Sequence, residues 1–307
     1  MNFTAKDVQA LREQTGCGMM DCKKALTECD GDMDKATDYL REKGLAAAVK
    51  KSTRIAAEGV IDCYIENGKG VIIEVNAETD FVAKNEKFQT FVRNCAVTAV
   101  KNQAKSVEEL KTLPIEGDKG TVEEALKDKI FTIGENMNIR RFELVEGKVY
   151  SYIHGGGKIG VMTVLDTDLA ESDELAAIGK GISMQIAAMN PQYLCPDCIP
   201  ADVVEKEKAI IIAQIKNDPK NASKPDAIIE KMVGGKLVKY YEGVCLTHQA
   251  YFLDPDGASV SKFLENESKK LGGKIAIKSY VRFERGEGLE KRNDNFAEEI
   301  AKMTAGK

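Results

Sequence analysis

Glu58-Gly59-Val60-Ile61-Asp62-Cys63-Tyr64-Ile65-Glu66-Asn67-Gly68-Lys69-Gly70-Val71-Ile72-Ile73-Glu74-Val75-Asn76 decides the fold. Val60, Asp62, Tyr64 and Glu66 alternate with Ile61, Cys63 and Ile65, the period of two that sends successive side chains to opposite faces of a strand. Asn67-Gly68 suits the left-handed residues of a tight hairpin turn, and Val71 to Asn76 returns as the partner strand. From Asn85 to about Asn102 the period lengthens: Phe88, Phe91, Val92, Cys95, Val97 and Ala99 mark one face of an amphipathic helix. Hairpin and helix together enclose one buried layer.

The unit recurs. A shift of 88 maps Glu58-Gly59 onto Glu146-Gly147, Tyr64-Ile65 onto Tyr152-Ile153, Gly68 onto Gly156, and Val71 and Ile73 onto Ile159 and Val161. The same shift maps Thr79-Asp80-Phe81 onto Thr167-Asp168-Leu169. A gap-free duplication predicts two pseudo-symmetric α+β subdomains, since two copies are too few for a solenoid. The shared residues are then mainly structural, and Phe81, matched by Leu169, reads on the residues alone as core.

Outward from this core, the first fifty residues spell three short helices. The first runs from about Thr4 to Gln14, with Val8, Leu11 and Phe3 on one side and Thr4 as N-cap three residues before Asp7. The second runs from about Met20 to Cys29. The third runs from about Met33 to Ala47, with Ala36, Tyr39, Leu40 and Leu45 at helical spacing. Lys50-Lys51-Ser52-Thr53-Arg54 reads as a basic linker.

On the other side, Pro200, Asp202 and Glu205 open a charged helix through about Lys216, Asp218-Pro219 turns it, and Ser223-Lys224-Pro225 starts a second helix to about Tyr241. This is a helical hairpin inserted into the second copy. Its Val203, Val204, Ile210, Ile211 and Ile212 have either the core or a second chain to seal against. Gly243 to Phe252 and Lys274 to Glu284 read as strands around a helix from Val260 to Leu271, and 295–303 reads as a terminal helix. The expected units are residues 1–54, 55–145, 146–200 with 242–284, 201–241, and 285–307.

Composition narrows the function classes. Lys and Arg number 44 against 49 Asp and Glu, a formal charge of -5, so there is no whole-chain basic footprint for nucleic acid and the expected partner is a protein. Eight cysteines at irregular spacing fit a reducing compartment better than a disulfide framework. With no long apolar run and no basic-then-apolar leader at Met1 to Asp7, the expected location is the cytoplasm and no membrane is involved. Cys195-Pro196-Asp197-Cys198 has the spacing of a redox or half-zinc motif but no second ligand pair and no redox-fold context, so no metal is expected. Gly155-Gly156-Gly157-Lys158 is not a phosphate loop, because Ile159 stands where Ser or Thr is needed. No cofactor follows from either. The adjacent Met19 and Met20 suit either core filling or an adaptable contact surface, and His154 suits a hydrogen-bonding loop residue.

Glu74-Val75-Asn76-Ala77-Glu78-Thr79-Asp80-Phe81-Val82-Ala83-Lys84 resembles a motif of the elongation factor Ts family, and the run from Leu11 to Leu26 resembles that family's N-terminal motif. The resemblance continues through Ile133-Gly134-Glu135-Asn136-Met137-Asn138-Ile139-Arg140-Arg141, His154 with Lys158 to Val161, and Val281 to Glu284 with Gly286-Glu287-Gly288, essentially the whole chain. Ala77 is a small departure, where the family more often has Cys, Ser or Val.

The resemblance implies an α+β fold: a three-helix module like ubiquitin-associated domains, two core subdomains, a dimerisation hairpin and a C-terminal module. It implies a guanine-nucleotide exchange factor with no covalent chemistry, acting on elongation factor Tu in translation. Asp80, Phe81, Val82 and Ala83 would enter that partner beside its magnesium site. Arg12, Met19, Met20, Ile133 and Gly134 would dock to it, as would His154 away from the turn. A homodimer through the hairpin also belongs to this picture. The rival classes are an adaptor or co-chaperone using only the first module, and a thiol oxidoreductase using Cys195 and Cys198.

Overall fold

The computed structural model describes residues 3–221 and 224–290, without the side chains of residues 45–47. The helix expected over 295–303 and the helix-opening Ser223 therefore lie outside the described residues. Three helices come first: α1 (Ala5–Thr15), α2 (Met19–Glu28) and α3 (Met33–Lys51). Thr4 and Asp7 form the reciprocal capping box that their spacing predicts. Leu11, Cys22, Ala25, Leu26 and Leu40 close a small core of their own, with Phe3 against it.

Helix α3 runs four residues beyond the expected end, so Lys50 and Lys51 of the supposed linker are helical. The cause is a neighbour. Gly44 of α3 lies against Phe131, and the Lys51 ammonium donates to the Ile130 carbonyl at 3.2 Å. Both partners belong to α7 (Val122–Ile133), so α3 rests on the core while it is still helical.

Strands β1 (Glu58–Glu66) and β2 (Lys69–Ala77) form the predicted hairpin, with φ of +52° at Asn67 and +74° at Gly68. The short α4 (Asp80–Ala83), then α5 (Glu86–Asn102), α6 (Val107–Thr112) and α7 follow. Next comes β3 (Met137–Glu146), which pairs with β2. Strands β4 (Lys148–His154) and β5 (Ile159–Thr167) make the second hairpin, and α8 (Asp173–Met189) repeats α5. The inserted α9 (Ala201–Asn217) and α10 (Asp226–Val244) form the helical hairpin. After α11 (Val260–Leu271), β6 (Ile275–Glu284) completes the second sheet beside β5.

One buried layer per copy is too few. Val71, Ile73 and Val75 face α5, but Ile61, Cys63 and Ile72 meet Val149, Met162 and Val164 of the other sheet. The two sheets pack back to back and β2 is buried on both faces, as a continuous apolar run such as Val71-Ile72-Ile73 signals. Gly70 and Gly160 stand at the contact. A Cβ on Gly70 would come within 2.9 Å of Val149, and one on Gly160 within 2.4 Å of Ile61.

The duplication is real but not gap-free. Tyr64 pairs with Val71, and Tyr152 pairs with Val161, so the shift of 88 on the first strand becomes 90 on the second. The extra residues lie in the second turn, where Gly155, Gly156 and Gly157 all have positive φ. Beyond the strands the first copy is longer. Ala77 reaches the N-cap Asn85 through α4, whereas Thr167 reaches the N-cap Ser172 through a shorter, irregular link. Phe81 therefore has no counterpart in the second copy, and Leu169 packs into that copy's core.

The strand expected from Gly243 to Phe252 does not form. Helix α10 continues to Val244, and a 3-10 turn covers Leu246–His248. Cys245 makes a single isolated bridge with Tyr193, with no neighbouring strand to extend it into a ladder. In the helical hairpin, Ile211, Ile215 and Ile229 seal the seam between its own helices, while Ile210, Ile212, Ile228 and Val238 remain exposed. No helix among the described residues is long and apolar enough to cross a membrane.

Candidate functional site: a braced turn with an exposed ring

Strand β2 ends at Ala77, and Thr79 then caps α4, its hydroxyl accepting from the Val82 N–H. A helix of one turn has no stability of its own, so its geometry comes from what holds it. Val82 and Ala83 turn inward and are buried in the first core. Phe81 turns outward and is 81% exposed. Its reading as core is overturned, since a ring this exposed is removed from water by nothing in the free chain and contributes little burial free energy to its folding.

Two carboxylates brace the turn. The Thr79 N–H and hydroxyl donate to the two oxygens of Glu135 at 3.0 and 2.7 Å. Glu78 accepts from the Asn136 N–H at 2.6 Å and from the Arg54 guanidinium at 3.3 Å, and the Asn136 amide donates to the Arg54 carbonyl at 2.7 Å. Glu135 and Asn136 can reach back because Gly134, at φ +93°, ends α7 in a left-handed cap, while Ile133 packs against the first core. Thus Ile133 and Gly134 position the residues that hold the turn. The sequence carried a signal for this brace in an acid and an amide placed directly after a helix-ending glycine.

Charge at the tip is local. Asp80 pairs with Lys84 at 2.6 Å, and that hydrogen bond holds the Asp80 carboxyl below its ordinary range. Arg285 adds to this effect from a distance. The same Arg285 pairs with Glu58 at 2.7 Å, donates to the Gly59 carbonyl at 3.2 Å, and through its N–H reaches the Lys158 carbonyl at 2.9 Å. It therefore ties the turn after His154 to the start of β1, where Glu58 pairs with Ala77 at the end of the strand from which α4 projects. His154 itself is exposed, its Nδ1 3.1 Å from the Tyr152 hydroxyl.

Behind the turn lies Glu74, fully buried in β2. It takes Arg140 at 3.1 Å, Arg141 at 2.7 Å, the Asn76 amide at 3.1 Å and the Gly286 N–H at 2.8 Å. Burial pushes this carboxyl up, but the donors from Gly286, Asn76 and Arg141 outweigh it and leave the group below its ordinary range. The Arg141 guanidinium lies 4.1 Å over the Phe283 ring and reaches Glu287, and Arg140 also donates to the Glu287 carbonyl. One carboxylate thus joins the first sheet to the Gly286-Glu287-Gly288 turn.

On the helical module, Arg12 is exposed in the last turn of α1, and Met19 and Met20 open α2 at 53% and 73% exposure. Cys22 and Leu26 take the inner positions, so the two methionines lie outward and do not fill the core. Cys195 caps a short 3-10 turn that ends at Cys198, and burial together with Cys198 pushes the Cys195 thiol up, away from the thiolate that nucleophilic chemistry needs. Among the described residues no group of three His, Cys, Asp or Glu is placed to hold a metal ion. What the site offers is an apolar ring on a rigid mount, which is equipment for contact.

A family model described as Elongation factor TS matches residues 78–287. The chain is 49% identical over 307 residues to elongation factor Ts of Syntrophotalea carbinolica, covering 99% of this chain and 100% of that protein. It is 52% identical to that of Clostridium perfringens, covering 98% and 99%, and 46% identical to that of Magnetococcus marinus, covering 100% of both.

Proposed function

The chain belongs to the elongation factor Ts family, a family of translation elongation factors, and from that premise we propose that it speeds GDP release from elongation factor Tu by inserting Phe81 beside the partner's magnesium site. The observation that carries the reading is a ring 81% exposed on a turn held by Glu135 and Glu78. In a GTPase, nucleotide, Mg²⁺ and switch loops hold one another in place, so displacing the elements around the metal weakens all three. Asp80, Val82 and Ala83 shape and support the tip. Arg12, Met19 and Met20 dock the helical module, and His154 supplies a further contact.

Linkage makes the effect reciprocal: a factor that weakens nucleotide binding is itself expelled when nucleotide returns. Turnover follows without any bond being made or broken in this chain. The test is stopped-flow release of a fluorescent GDP analogue from elongation factor Tu with and without this protein. A release rate unchanged by saturating factor would refute the reading.

The outward Ile210, Ile212, Ile228 and Val238 support a second element of the same reading, pairing of two chains through the helical hairpin. Light scattering across a dilution series should give the mass of a dimer; a monomer at all concentrations would rule this out.

A further inference from the structure

Cys195-Pro196-Asp197-Cys198 stands at the root of the helical hairpin: α9 begins soon after it at Ala201, and α10 ends at Val244, directly before Cys245. The Cys198 N–H donates to the Cys195 carbonyl at 3.0 Å, and the Ile199 N–H donates to that of Pro196 at 3.0 Å. Such a turn holds its first and fourth α-carbons within about 7 Å of each other, and a disulfide spans about 4.4 to 6.8 Å. Pro196, first in the turn, has its own φ fixed by its ring and leaves the turn less freedom to open.

All eight cysteines are free thiols, and among them Cys198 alone is exposed. Cys195 is half-buried. Cys245 is buried beside Tyr193, where the Leu246 N–H donates to the Tyr193 carbonyl at 2.9 Å and the Thr247 N–H to the Leu194 carbonyl at 3.0 Å. Burial raises the Cys195 thiol, and its contact with the Cys198 thiol raises it further. Cys245 is pushed up to about 11, by burial first and then by the other two cysteines. A dithiol kept protonated lacks the thiolate stabilisation that makes some dithiol proteins strong oxidants, so its disulfide is the harder form to reduce.

We propose that Cys195 and Cys198 form a reversible dithiol–disulfide pair that is oxidised by low-molecular-weight disulfides. The exposed Cys198, as thiolate, attacks one sulfur of a disulfide RSSR, forming a Cys198–S–SR mixed disulfide and releasing RS⁻. Cys195 then loses its proton, attacks the Cys198 sulfur and expels the second RS⁻. Two protein thiols become one disulfide, RSSR becomes two RSH, and the two protons given up by the cysteines end on the released thiolates. The pair shares no residue with the turn that carries Phe81, so it acts alongside nucleotide exchange and not through it.

The test equilibrates the full chain with mixtures of glutathione and glutathione disulfide at mildly alkaline pH, blocks the remaining thiols with N-ethylmaleimide and reads the peptides by mass spectrometry. The expected product is a Cys195–Cys198 disulfide, with Cys17, Cys22, Cys63, Cys95 and Cys245 still free. At half-reduction the ratio of squared glutathione to glutathione disulfide should be about tenfold higher than for the same chain in urea, since the preset turn spares the pair roughly one residue's worth of backbone entropy. Cys195→Ser should leave Cys198 as a mixed disulfide with glutathione, and Cys198→Ser should leave Cys195 free. The same midpoint in urea, a disulfide from either residue to Cys245 instead, or both thiols still free in excess glutathione disulfide would overturn the proposal.

Discussion

Thr79 and Glu135 meet across 56 positions of sequence, with both donors of the threonine, its N–H and its hydroxyl, satisfied by the two oxygens of one carboxylate. The turn that carries Phe81 is therefore fixed from outside itself. Glu135→Ala should cost about 1 to 3 kcal/mol, the worth of hydrogen bonds to a charged acceptor. It should also slow exchange although Phe81 is intact. Thermal unfolding beside stopped-flow GDP release measures both; a variant with full exchange activity would show that the brace is not needed.

For Phe81→Ala the two measurements should separate. The free protein should change by less than about 0.5 kcal/mol, as exposed positions do, because the ring is 81% exposed. The coupling between factor and nucleotide should fall about 30- to 150-fold, the equivalent of roughly 2 to 3 kcal/mol of ring burial in the complex. Asp80→Ala should act in the same direction but less. A strongly destabilised free protein whose folded fraction still exchanges normally would contradict the wedge.

Glu74→Gln should be far more costly to the free chain, on the order of 2 to 4 kcal/mol, because two guanidinium groups lose their shared buried anion. The cost is held below the fully buried value by the 21% and 30% exposure of Arg140 and Arg141. The pH dependence follows in sign. A carboxyl whose folded pKa lies below its unfolded value contributes its full stability above about pH 5 and loses it as the pH falls below about 4. Denaturant midpoints between pH 3 and 7 should thus drop less steeply toward acid in Glu74→Gln than in the parent; parallel curves would show that Glu74 does not carry the effect.

Removing residues 1–54 should leave a core that still melts cooperatively while binding to elongation factor Tu weakens strongly. The core should lose about 1 to 3 kcal/mol, because Phe131 loses its cover from Gly44 and α3. Calorimetry and pull-down check the two halves of this expectation. Loss of cooperative melting would mean that the helical module is part of the core's folding unit.

Replacing Cys195 and Cys198 together by Ser should keep exchange within about twofold, the range of substitutions away from a working site. Cys195 has a raised thiol pKa and should resist alkylation at pH 6. Intact folding with abolished exchange would bring back a thiol-based reading.

The sequence revealed elements whose cause is local and concealed those whose cause is a neighbour. Asn67-Gly68 announced its hairpin because both residues take the left-handed conformation that the turn demands. Strand β3 was missed for a traceable reason. Glu74 pairs with Arg141 but Val75 pairs with Ile139, so Arg140 is an extra residue, and the inward phase moves from Met137 and Ile139 to Phe142 and Leu144. Strand β6 carries the equivalent irregularity at Lys278, yet its flanking residues still read as a strand. The exposure of Phe81 was hidden by the two-residue lengthening of the second turn, which set Leu169 opposite it in a gap-free alignment. Only the family resemblance of the motif around Phe81 singled this turn out, and Arg54, Glu135 and Arg285, which brace its surroundings, come from distant segments that only the folded chain brings there.

The contact at Gly70 and Gly160 has a mechanical consequence. With no side chain between backbone and opposing residues at these two points, the sheets have no slack through which to slide or breathe. Helix, sheet, sheet and helix thus stack in direct contact, and the turn that carries Phe81 follows the end of β2 at the edge of that stack. A bulkier residue at either glycine would force Val149 or Ile61 aside and wedge the two sheets apart, far from the turn that carries Phe81.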